Sequence, residues 1–436
     1  MKQIKRRASA ALLLALFMVA GTVTILTRLL LYGDQWAAYS ANSSVYTSRG
    51  ILACGTLTDR SGVVLAQADE NGYRYAGDVN VRVASLHAVG DYRGYLGASA
   101  LTAYAGKLTG YSPVYGTTNP GNTVALSLDA ELQSAAWRQL GGRKGAVLVM
   151  NYETGEILCM VSSPSYYPEQ EPDGSIEGLF LNRCLNGVYT PGSVFKLVTL
   201  CAAVENIDDL YERSFRCGGS IDVAGVSITC TGYHGEQTIE QALANSCNCA
   251  FAQLSLELGG DTLAAYAEKL GFTESHSLDG IPTAAGHFEA VQERSSYLAW
   301  SGIGQHTDLI CPYSMLRYVS AIAAGGVLRE PTMLLNGHNG STRMLKESTA
   351  QALEEMMSFT GSTHYQSVFP GLDVCAKTGT AELGDGYTHG WMAGYLRGET
   401  PLSFVVVMER GGTGYTQAGG VANAVLQRAK ELYEHD

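Results

Sequence analysis

The sequence predicts an α/β fold in which one sheet is sandwiched by helices. A smaller, mostly β or extended module and an N-terminal transmembrane helix are predicted to precede this fold. Apolar strand-like segments stand at both ends of the larger region, with helical patterns between and after them, which is the order expected for a helix-covered sheet. A long apolar run near the N-terminus predicts the membrane helix. With 436 residues, the chain is long enough for two or three domains.

The composition describes an acidic, globular protein. Hydrophobic residues make up 46% of the chain and charged residues 16%, and the formal net charge is −12. A protein that binds phosphate backbones needs a basic face, and no such face is visible in the sequence. We therefore expect a folded protein with no nucleic-acid partner.

The N-terminus combines a basic tail with the apolar run. Residues 1–9 are predicted to stay in the cytoplasm because of their lysines and arginines, and residues 10–31 are long enough to cross a bilayer. Arg28 stands near the outer end, where its side chain can reach the interface. The competing interpretation is a cleaved signal peptide, whose apolar region is usually shorter. We expect a single-pass protein of the cell membrane, with the rest of the chain on the extracellular side.

Two domains are predicted after the anchor. Residues 32–125 are rich in glycine and tyrosine, and the alternating segments 62–66 and 79–83 predict strands, but nothing there carries obvious chemistry. Residues 126–436 form the larger domain. Its predicted elements are a helix from Asp129 to Leu140, strands at 145–150 and 157–161, a helical region at 239–258, strands at 372–376, 390–396 and 402–409, and a helix at 418–433.

A Ser-x-x-Lys motif begins the most apolar helix of this domain. Pro191-Gly192 marks a turn, and residues 194–204 have the length and character of a buried helix, so Ser193 starts that helix. Residues three apart share a helix face, which places the Lys196 amine beside the Ser193 hydroxyl. A lysine kept neutral by burial or by a second cation can activate a serine nucleophile. The plain alternative is a helix-capping serine followed by a solvated lysine.

Two more short motifs follow in order. Asn245-Ser246-Cys247-Asn248 contains Ser-x-Asn within the helical region, and Lys377-Thr378-Gly379-Thr380 continues an apolar strand. Taken singly, the first could be a polar helix cap and the second an ordinary strand end. Together with Ser-x-x-Lys they form the motif set of penicillin-binding proteins and class A β-lactamases.

On these motifs the chain resembles a class B penicillin-binding protein, a bacterial peptidoglycan D,D-transpeptidase of serine β-lactamase-like fold. Because no appendage follows the predicted transpeptidase domain, the chain is similar to the actinobacterial elongation or division subgroup. Tyr167 departs from an acidic residue common at its position, and Gly390-Trp391-Met392 departs from Ala-Trp-Phe. The further matching segments are Gly55 to Ala66, Leu126 to Gln133, Lys144 to Tyr166, Asn182-Arg183, His234-Gly235 and Gly304-Gln305.

The resemblance implies a role for each motif residue. Ser193 would attack the penultimate D-Ala carbonyl of a D-Ala-D-Ala stem peptide, with Lys196 as its base. Ser246 would relay a proton to the leaving amine between the two lysines, and Asn248 would hold the peptide backbone.

The strand motif would bind the other end of the substrate. Lys377, Thr378 and Thr380 would present a cation and hydroxyls to the terminal carboxylate. The backbone N–H groups of Ser193 and Thr380 are predicted to form the oxyanion hole, and Gly379 lets the strand approach without a side chain in the way.

The resemblance also implies the partners. Stem peptides would be substrates, β-lactams would acylate Ser193 as substrate mimics, and no cofactor is needed. Residues 32–125 are too few for a comfortable glycan polymerase domain, so we expect a membrane polymerase of the SEDS type to supply the glycan strands and to contact the anchor and the module.

Ten cysteines in an exported chain suggest disulfides, although their positions are scattered. Cys217 and Cys230 flank a short apolar segment and are the predicted pair. Cys247 and Cys249 are predicted to be buried free thiols. His234 is predicted to be structural or exposed, and no His, Cys or Asp spacing predicts a metal site.

Three other functions share the motifs. A class A β-lactamase also needs a carboxylate that activates water, and no Glu-x-x-Leu-Asn-like segment lies between Ser246 and Lys377. A D,D-carboxypeptidase would use water in place of the acceptor amine, but its family members usually carry a C-terminal anchor. A non-enzymatic sensor of β-lactams or wall peptides would not need the intact set of motif residues.

Overall fold

The computed structural model describes residues 1–39, 42–43, 45–47, 51–117 and 121–433. Within them the α-helices are α1 (Lys2–Ala37), α2 (Val79–Val89), α3 (Ala100–Ala103), α4 (Ala105–Leu108), α5 (Ala130–Leu140), α6 (Lys196–Asn206), α7 (Ile239–Ala244), α8 (Asn248–Leu258), α9 (Gly260–Lys269), α10 (Ser296–Ser301), α11 (Pro312–Ala323), α12 (Glu347–Thr360) and α13 (Gly419–Tyr433). Short 3₁₀ turns cover Gly192–Phe195 and Leu210–Glu212, and π-helical turns cover Gly361–Tyr365 and Gly414–Ala418.

The strands of the described residues are β1 (Gly55–Thr58), β2 (Val64–Asp69), β3 (Gly72–Tyr75), β4 (Thr123–Ala125), β5 (Gly145–Asn151), β6 (Ile157–Ser163), β7 (Phe215–Cys217), β8 (Ser220–Val223), β9 (Val226–Thr229), β10 (Gly235–Gln237), β11 (Ser277–Leu278), β12 (Ile281–Pro282), β13 (Val327–Arg329), β14 (Ser341–Arg343), β15 (Val374–Glu382), β16 (Thr388–Leu396) and β17 (Leu402–Met408). The main sheet has the order β15-β16-β17-β5-β6, with every neighbouring pair antiparallel.

Helices cover both faces of the main sheet, as the apolar strands predict. All seven residues of β17 are buried. Val405 and Val407 belong to the core shared with α6, α8 and α11, whereas Phe404 and Val406 belong to the core shared with α5 and α13. A strand that meets apolar side chains on both sides reads as a continuous hydrophobic run, which explains the sequence pattern at residues 402–409.

The N-terminal module is held against the start of α5. Its sheet has the order β3-β2-β1-β4, and only the β1–β4 pair is parallel. The Asp59 carboxylate accepts hydrogen bonds from the backbone N–H groups of Ser61 and Val63 at 2.9 and 2.8 Å, and from that of Ala130 at 3.1 Å. One buried carboxylate therefore organises the turn after β1 and joins the module to the larger domain. The domain boundaries at residues 31 and 125 stay predictions.

Helix α1 extends beyond the predicted anchor at both ends. It runs for 36 residues, and its most apolar 18-residue window, of mean hydropathy 2.3, is entirely unburied in the protein. Length and composition therefore suit a membrane span.

The strand predicted at residues 79–83 is wrong, because this segment begins helix α2. The Asp78 carboxylate accepts hydrogen bonds from the backbone N–H groups of Asn80 and Val81 at 2.7 and 3.2 Å, which caps the helix. Val81 and Val83 are both buried. The alternation of valines with polar residues resembled a strand, and the capping aspartate was the signal that indicated a helix.

The helical region predicted at residues 239–258 is interrupted. Helix α7 ends at Ala244 and α8 begins at Asn248, and Ser246 between them has a positive φ of 52°. A left-handed serine breaks a helix. At this break the Ser246 carbonyl and hydroxyl contact Lys196 and Lys377, where the candidate site lies.

Candidate active site

The turn that carries Ser193 is packed directly against β15. Gly192 has a φ of +58°, and a Cβ there would lie 2.8 Å from the Thr380 carbonyl oxygen. The Gly192 N–H donates to the Gly304 carbonyl at 2.8 Å. A side chain at position 192 would be strained and would also separate the turn from the strand. Ser193 itself is half-buried on a 3₁₀ turn that continues into α6.

The Lys196 amine is fully buried and oriented by the Ser-x-Asn motif. It donates to the Ser246 carbonyl oxygen at 2.6 Å and to Asn248 Oδ1 at 2.7 Å. It also lies 3.3 Å from Ser246 Oγ. A neutral amine has two N–H donors and one lone pair, and the two short contacts occupy both donors. The lone pair is thereby left for a hydroxyl proton.

The Ser246 hydroxyl lies between two buried lysines. Lys377 Nζ donates to Ser246 Oγ at 2.9 Å and to the Thr378 carbonyl at 3.1 Å. The structure thus brings together Lys196, Ser246 and Lys377, which stand far apart in the sequence. Their juxtaposition is the one that the three motifs predicted.

The environment favours neutral amines. Burial lowers the pKa of Lys196 to about 8. Burial also lowers the pKa of Lys377 far below its ordinary value, and the nearby Lys196 ammonium lowers it further. A carboxylate bound beside Lys377 would raise that pKa again, because an opposite charge stabilises the ammonium.

Asn248 is the first residue of α8 and joins the motif to β9. Its Oδ1 accepts from Lys196, and its Nδ2 donates to the Thr229 carbonyl at 2.8 Å. The amide plane is therefore oriented by two partners on opposite sides. Whether its remaining N–H holds a substrate peptide, as the motif implies, stays a prediction.

The strand motif lies on a strand, as the sequence predicted, whereas its role toward the substrate carboxylate stays a prediction. Residues 377–380 all lie within β15, which pairs with β16 so that Gly379 faces Trp391. A Cβ on Gly379 would lie 2.5 Å from the Pro191 carbonyl oxygen, so glycine is needed for the strand to touch the serine turn. Ser193 and Thr380 consequently lie on two segments in contact, which suits the predicted oxyanion hole. Trp391 is fully buried and donates its indole N–H to the Thr190 carbonyl at 3.0 Å.

The comparison with known families decides the identity of this fold. Residues 145–431 match the penicillin binding protein transpeptidase domain, a span that contains every motif residue described above. The chain belongs to the penicillin-binding protein transpeptidase family. The class B resemblance inferred from the motifs is confirmed.

Relatives and solved structures agree with this assignment. The peptidoglycan D,D-transpeptidase PbpA of Mycobacterium tuberculosis is 27% identical over 353 residues, 71% of this chain and 72% of that protein. The D,D-transpeptidase domain of the peptidoglycan glycosyltransferase from Eggerthella lenta superposes with a TM-score of 0.73 at 28% identity, and covers 87% of this chain and 98% of that one.

A second solved structure supports the fold alone. Penicillin-binding protein A from M. tuberculosis, in its penicillin G acyl-enzyme complex, has a TM-score of 0.72 at 22% identity, with 87% and 99% of the two chains covered. The mycobacterial relatives are consistent with the subgroup suggested by the sequence.

Tyr365 is a site residue of this penicillin-binding protein that sequence reasoning missed. It is buried at the end of the π-helical turn after α12, and its hydroxyl accepts from the Thr378 N–H at 3.0 Å. The Tyr365 and Thr378 hydroxyls lie 3.1 Å apart. No local pattern marks Tyr365, because it reaches β15 only through the tertiary fold.

The cysteine predictions need one correction. All ten cysteines lie in described residues and are free, so the predicted bond between Cys217 and Cys230 is not formed in the structure. Cys247 and Cys249 are buried, as predicted. No metal site was predicted from the sequence, yet Cys217, Cys230, His234 and Cys247 bring their ligand atoms within 4.8 Å of one another. The spacing Cys-x-x-x-His at residues 230–234 was the available signal.

Proposed function

We propose that this penicillin-binding protein is a peptidoglycan D,D-transpeptidase that cross-links stem peptides through a Ser193 acyl-enzyme, and that β-lactams acylate the same serine. The observation that carries the proposal is the buried Lys196 amine. Its two N–H donors are engaged by Ser246 O and Asn248 Oδ1, and its pKa is lowered to about 8. Such an amine can accept a proton from the hydroxyl one helical turn before it.

The acylation step follows from this arrangement. Ser193 Oγ attacks the carbonyl of the penultimate D-Ala while Lys196 takes its proton. The backbone N–H groups of Ser193 and Thr380 stabilise the oxyanion of the tetrahedral intermediate. The C–N bond then breaks as the Ser246 hydroxyl, hydrogen-bonded to Lys377, gives its proton to the departing D-Ala amine and receives the proton that Lys196 took from Ser193.

Deacylation completes the cross-link. The neutral amine of a second stem peptide attacks the acyl-enzyme carbonyl and loses a proton to Lys196. The ester C–O bond breaks, Ser193 Oγ takes that proton from Lys196, and the new peptide bond joins the two stem peptides. Lys377, Thr378 and Thr380 receive the substrate carboxylate beside the serine turn. This role for the strand motif rests on its place next to Ser246 and on the family pattern.

Intact mass spectrometry of the full-length chain in detergent tests the proposal. Incubation with penicillin G is expected to add the mass of the antibiotic to the wild-type protein, and Ser193→Ala is expected to show no adduct. An adduct that persists in Ser193→Ala would place the nucleophile elsewhere. Absence of any adduct on the wild type would favour the non-enzymatic sensor.

A second assay separates the transferase from the hydrolases. A D-Ala-D-Ala peptide is supplied with and without an amine acceptor, and the products are resolved by mass. A transpeptidase forms the cross-linked peptide when the acceptor is present. A D,D-carboxypeptidase would release D-Ala without cross-linking. A β-lactamase would be recognised in the penicillin G incubation, where hydrolysed penicillin would accumulate.

The rate of acylation is expected to rise with pH through about 8, the pKa of Lys196 set by its burial. Below that pH the amine is protonated and has no lone pair for the Ser193 proton, so the rate falls about tenfold per pH unit on the acid side. The measurement is a pH profile of penicillin G acylation under pseudo-first-order conditions. The profile should cover about pH 6 to 9, which extends about one unit or more on either side of the Lys196 pKa. A flat profile over this range would contradict Lys196 as the base.

Tyr365→Phe is expected to reduce the second-order acylation constant about fivefold, which corresponds to about 1 kcal/mol for one lost hydrogen bond. The reason is that the Thr378 N–H and hydroxyl lose the partner that orients them in β15. Stopped-flow acylation measures the change. The matched control is Tyr415→Phe, which removes a nearby hydroxyl that contacts Ser367 instead. Equal rates in both variants would contradict the role of Tyr365.

The membrane arrangement is part of the same proposal. Helix α1 is apolar and unburied, and the basic residues at its start favour a cytoplasmic N-terminus with the transpeptidase domain outside the cell. Protease added to intact cells should therefore digest the catalytic domain. Protection of that domain would contradict this topology.

A SEDS-type glycan polymerase is the proposed membrane partner. The module that precedes the transpeptidase domain is too small to polymerise glycan, and α1 offers an unpartnered apolar surface within the bilayer. Copurification of the polymerase with the full-length chain should exceed that with a chain lacking residues 1–31. Equal recovery would contradict the contact.

A further inference from the structure

Four potential metal ligands converge behind the Ser-x-Asn motif. Cys217 ends β7, Cys230 follows β9, His234 precedes β10, and Cys247 lies in the break between α7 and α8. Cys217 and Cys247 are buried, and Cys230 and His234 are partly buried. Three separate segments thus deliver sulfur and nitrogen atoms to one point of the interior.

The distances between these atoms fit a shared ion. Cys230 Sγ lies 3.9 Å from Cys247 Sγ and 3.6 Å from His234 Nδ1. All four ligand atoms lie within 4.8 Å of one another. Around a tetrahedral zinc ion, bond lengths of about 2.3 Å to sulfur and about 2.0 Å to nitrogen separate two sulfurs by about 3.8 Å, and a sulfur from a nitrogen by about 3.5 Å.

We propose that Cys217, Cys230, His234 and Cys247 bind one zinc ion in a closed structural site. Three thiolates and an imidazole form a soft donor set that suits zinc, whereas magnesium and calcium require oxygen ligands. Binding releases the three thiol protons to solvent, and the ion enters as Zn²⁺ with no change of oxidation state. Four protein ligands leave no open position, so the ion takes no part in the acyl-transfer chemistry.

The site would hold the catalytic motif in place. Cys247 stands between Ser246 and Asn248, the two residues that orient the Lys196 amine. The Asn248 backbone N–H donates to Cys230 Sγ at 3.2 Å, the kind of outer hydrogen bond that supports a metal-bound sulfur. The left-handed Ser246, at φ 52°, also needs its neighbours to keep its conformation. The four ligands are therefore positioning residues for Lys196.

Disulfide formation is the competing use of the same sulfurs. Cys217 Sγ lies 3.6 Å from Cys249 Sγ, and Cys230 Sγ lies 3.9 Å from Cys247 Sγ, so two bonds could form in an oxidising compartment. That pairing gives His234 no role. A shared ion explains why an imidazole nitrogen belongs to the cluster at the same spacing as the sulfurs.

The test measures metal content and mass on the full-length chain purified in detergent without chelators. Elemental analysis is expected to find about one zinc ion per chain. Cys217→Ser and His234→Ala are expected to lose it. The matched control is Cys159→Ala, a buried cysteine on the other side of the sheet, and Cys249→Ser tests the sulfur next to the assigned set. Both of these variants should retain zinc.

A second measurement does not depend on the variants folding. Removal of zinc from the wild-type chain with a chelator should slow penicillin G acylation by about 10²-fold, the effect of a misplaced catalytic group, and added zinc should restore the rate. Zinc content itself is independent of the proposed function, so a failed acylation assay would leave the metal result intact.

Three results would overturn the proposal. The first is a zinc-free wild type whose mass is lower by two hydrogens per disulfide, which would assign the sulfurs to covalent pairs. The second is zinc that persists in Cys217→Ser and His234→Ala. The third is zinc that is lost from Cys249→Ser but not from His234→Ala, which would assign a four-cysteine set instead.

Discussion

Replacing Lys196 by methionine is expected to slow acylation of Ser193 by penicillin G by about 10²- to 10⁴-fold, the usual contribution of a positioned general base. Methionine is unbranched and of similar length, so it fills the buried volume while removing the amine. The Ser193 hydroxyl then loses the amine, one helical turn away, that receives its proton. The rise of rate with pH through about 8 should disappear in the same variant.

Lys144→Met is the matched control for this experiment. The Lys144 side chain is partly exposed and pairs with Glu177 at 2.8 Å on the surface, away from the serine turn. The Lys144→Met variant should be acylated at the same rate as the wild type. Thermal unfolding of both variants shows whether the Lys196 variant remains folded. An unchanged acylation rate in folded Lys196→Met would assign the base to another group.

Gly379→Ala is expected to slow acylation by about 10²- to 10³-fold, the typical effect of losing one oxyanion donor. The added Cβ would lie 2.5 Å from the Pro191 carbonyl oxygen, 3.1 Å from Trp391 Cβ and 3.2 Å from Val194 Cγ1. Backbone cannot give way as a flexible side chain does, so β15 and the serine turn must separate. The Thr380 N–H then moves away from the reacting carbonyl.

Gly174→Ala provides the comparison. Gly174 is exposed, has nothing within 4 Å of an added Cβ, and requires no left-handed conformation. Stopped-flow acylation and the midpoint of thermal unfolding are measured for both glycine variants. The Gly174 variant should match the wild type. If Gly379→Ala were acylated at the wild-type rate, contact between β15 and the serine turn would not be what positions the Thr380 N–H.

Much of the fold was predictable because its strands are buried on both faces. The run 145–150 is apolar at every position, and the run 402–408 is interrupted only by Ser403. They became adjacent strands of the main sheet. The helix predicted from Asp129 is confirmed for the same kind of local reason, since Asp129 Oδ1 accepts from the Leu132 N–H at 2.9 Å.

Two errors have a common physical origin. Residues 79–83 were predicted as a strand and residues 239–258 as one helical region, because both predictions relied on periodicity alone. In the first segment a capping aspartate decided for a helix. In the second, the left-handed Ser246 interrupts the helix. Its carbonyl accepts a hydrogen bond from Lys196 there, and its hydroxyl accepts one from Lys377. Periodicity missed a local cap in the first segment and tertiary contacts of Ser246 in the second.

The sequence by itself determined the three motifs, their order, and the serine and lysine that share one helical turn, since these depend only on spacing along the chain. Only the tertiary structure decided how those motifs meet. The burial that lowers the pKa of Lys196, the contact of Tyr365 with Thr378, and the gathering of three cysteines and His234 all join residues distant in sequence. Desolvation and ligand geometry are properties of the packed interior, so residue spacing along the sequence does not predict them.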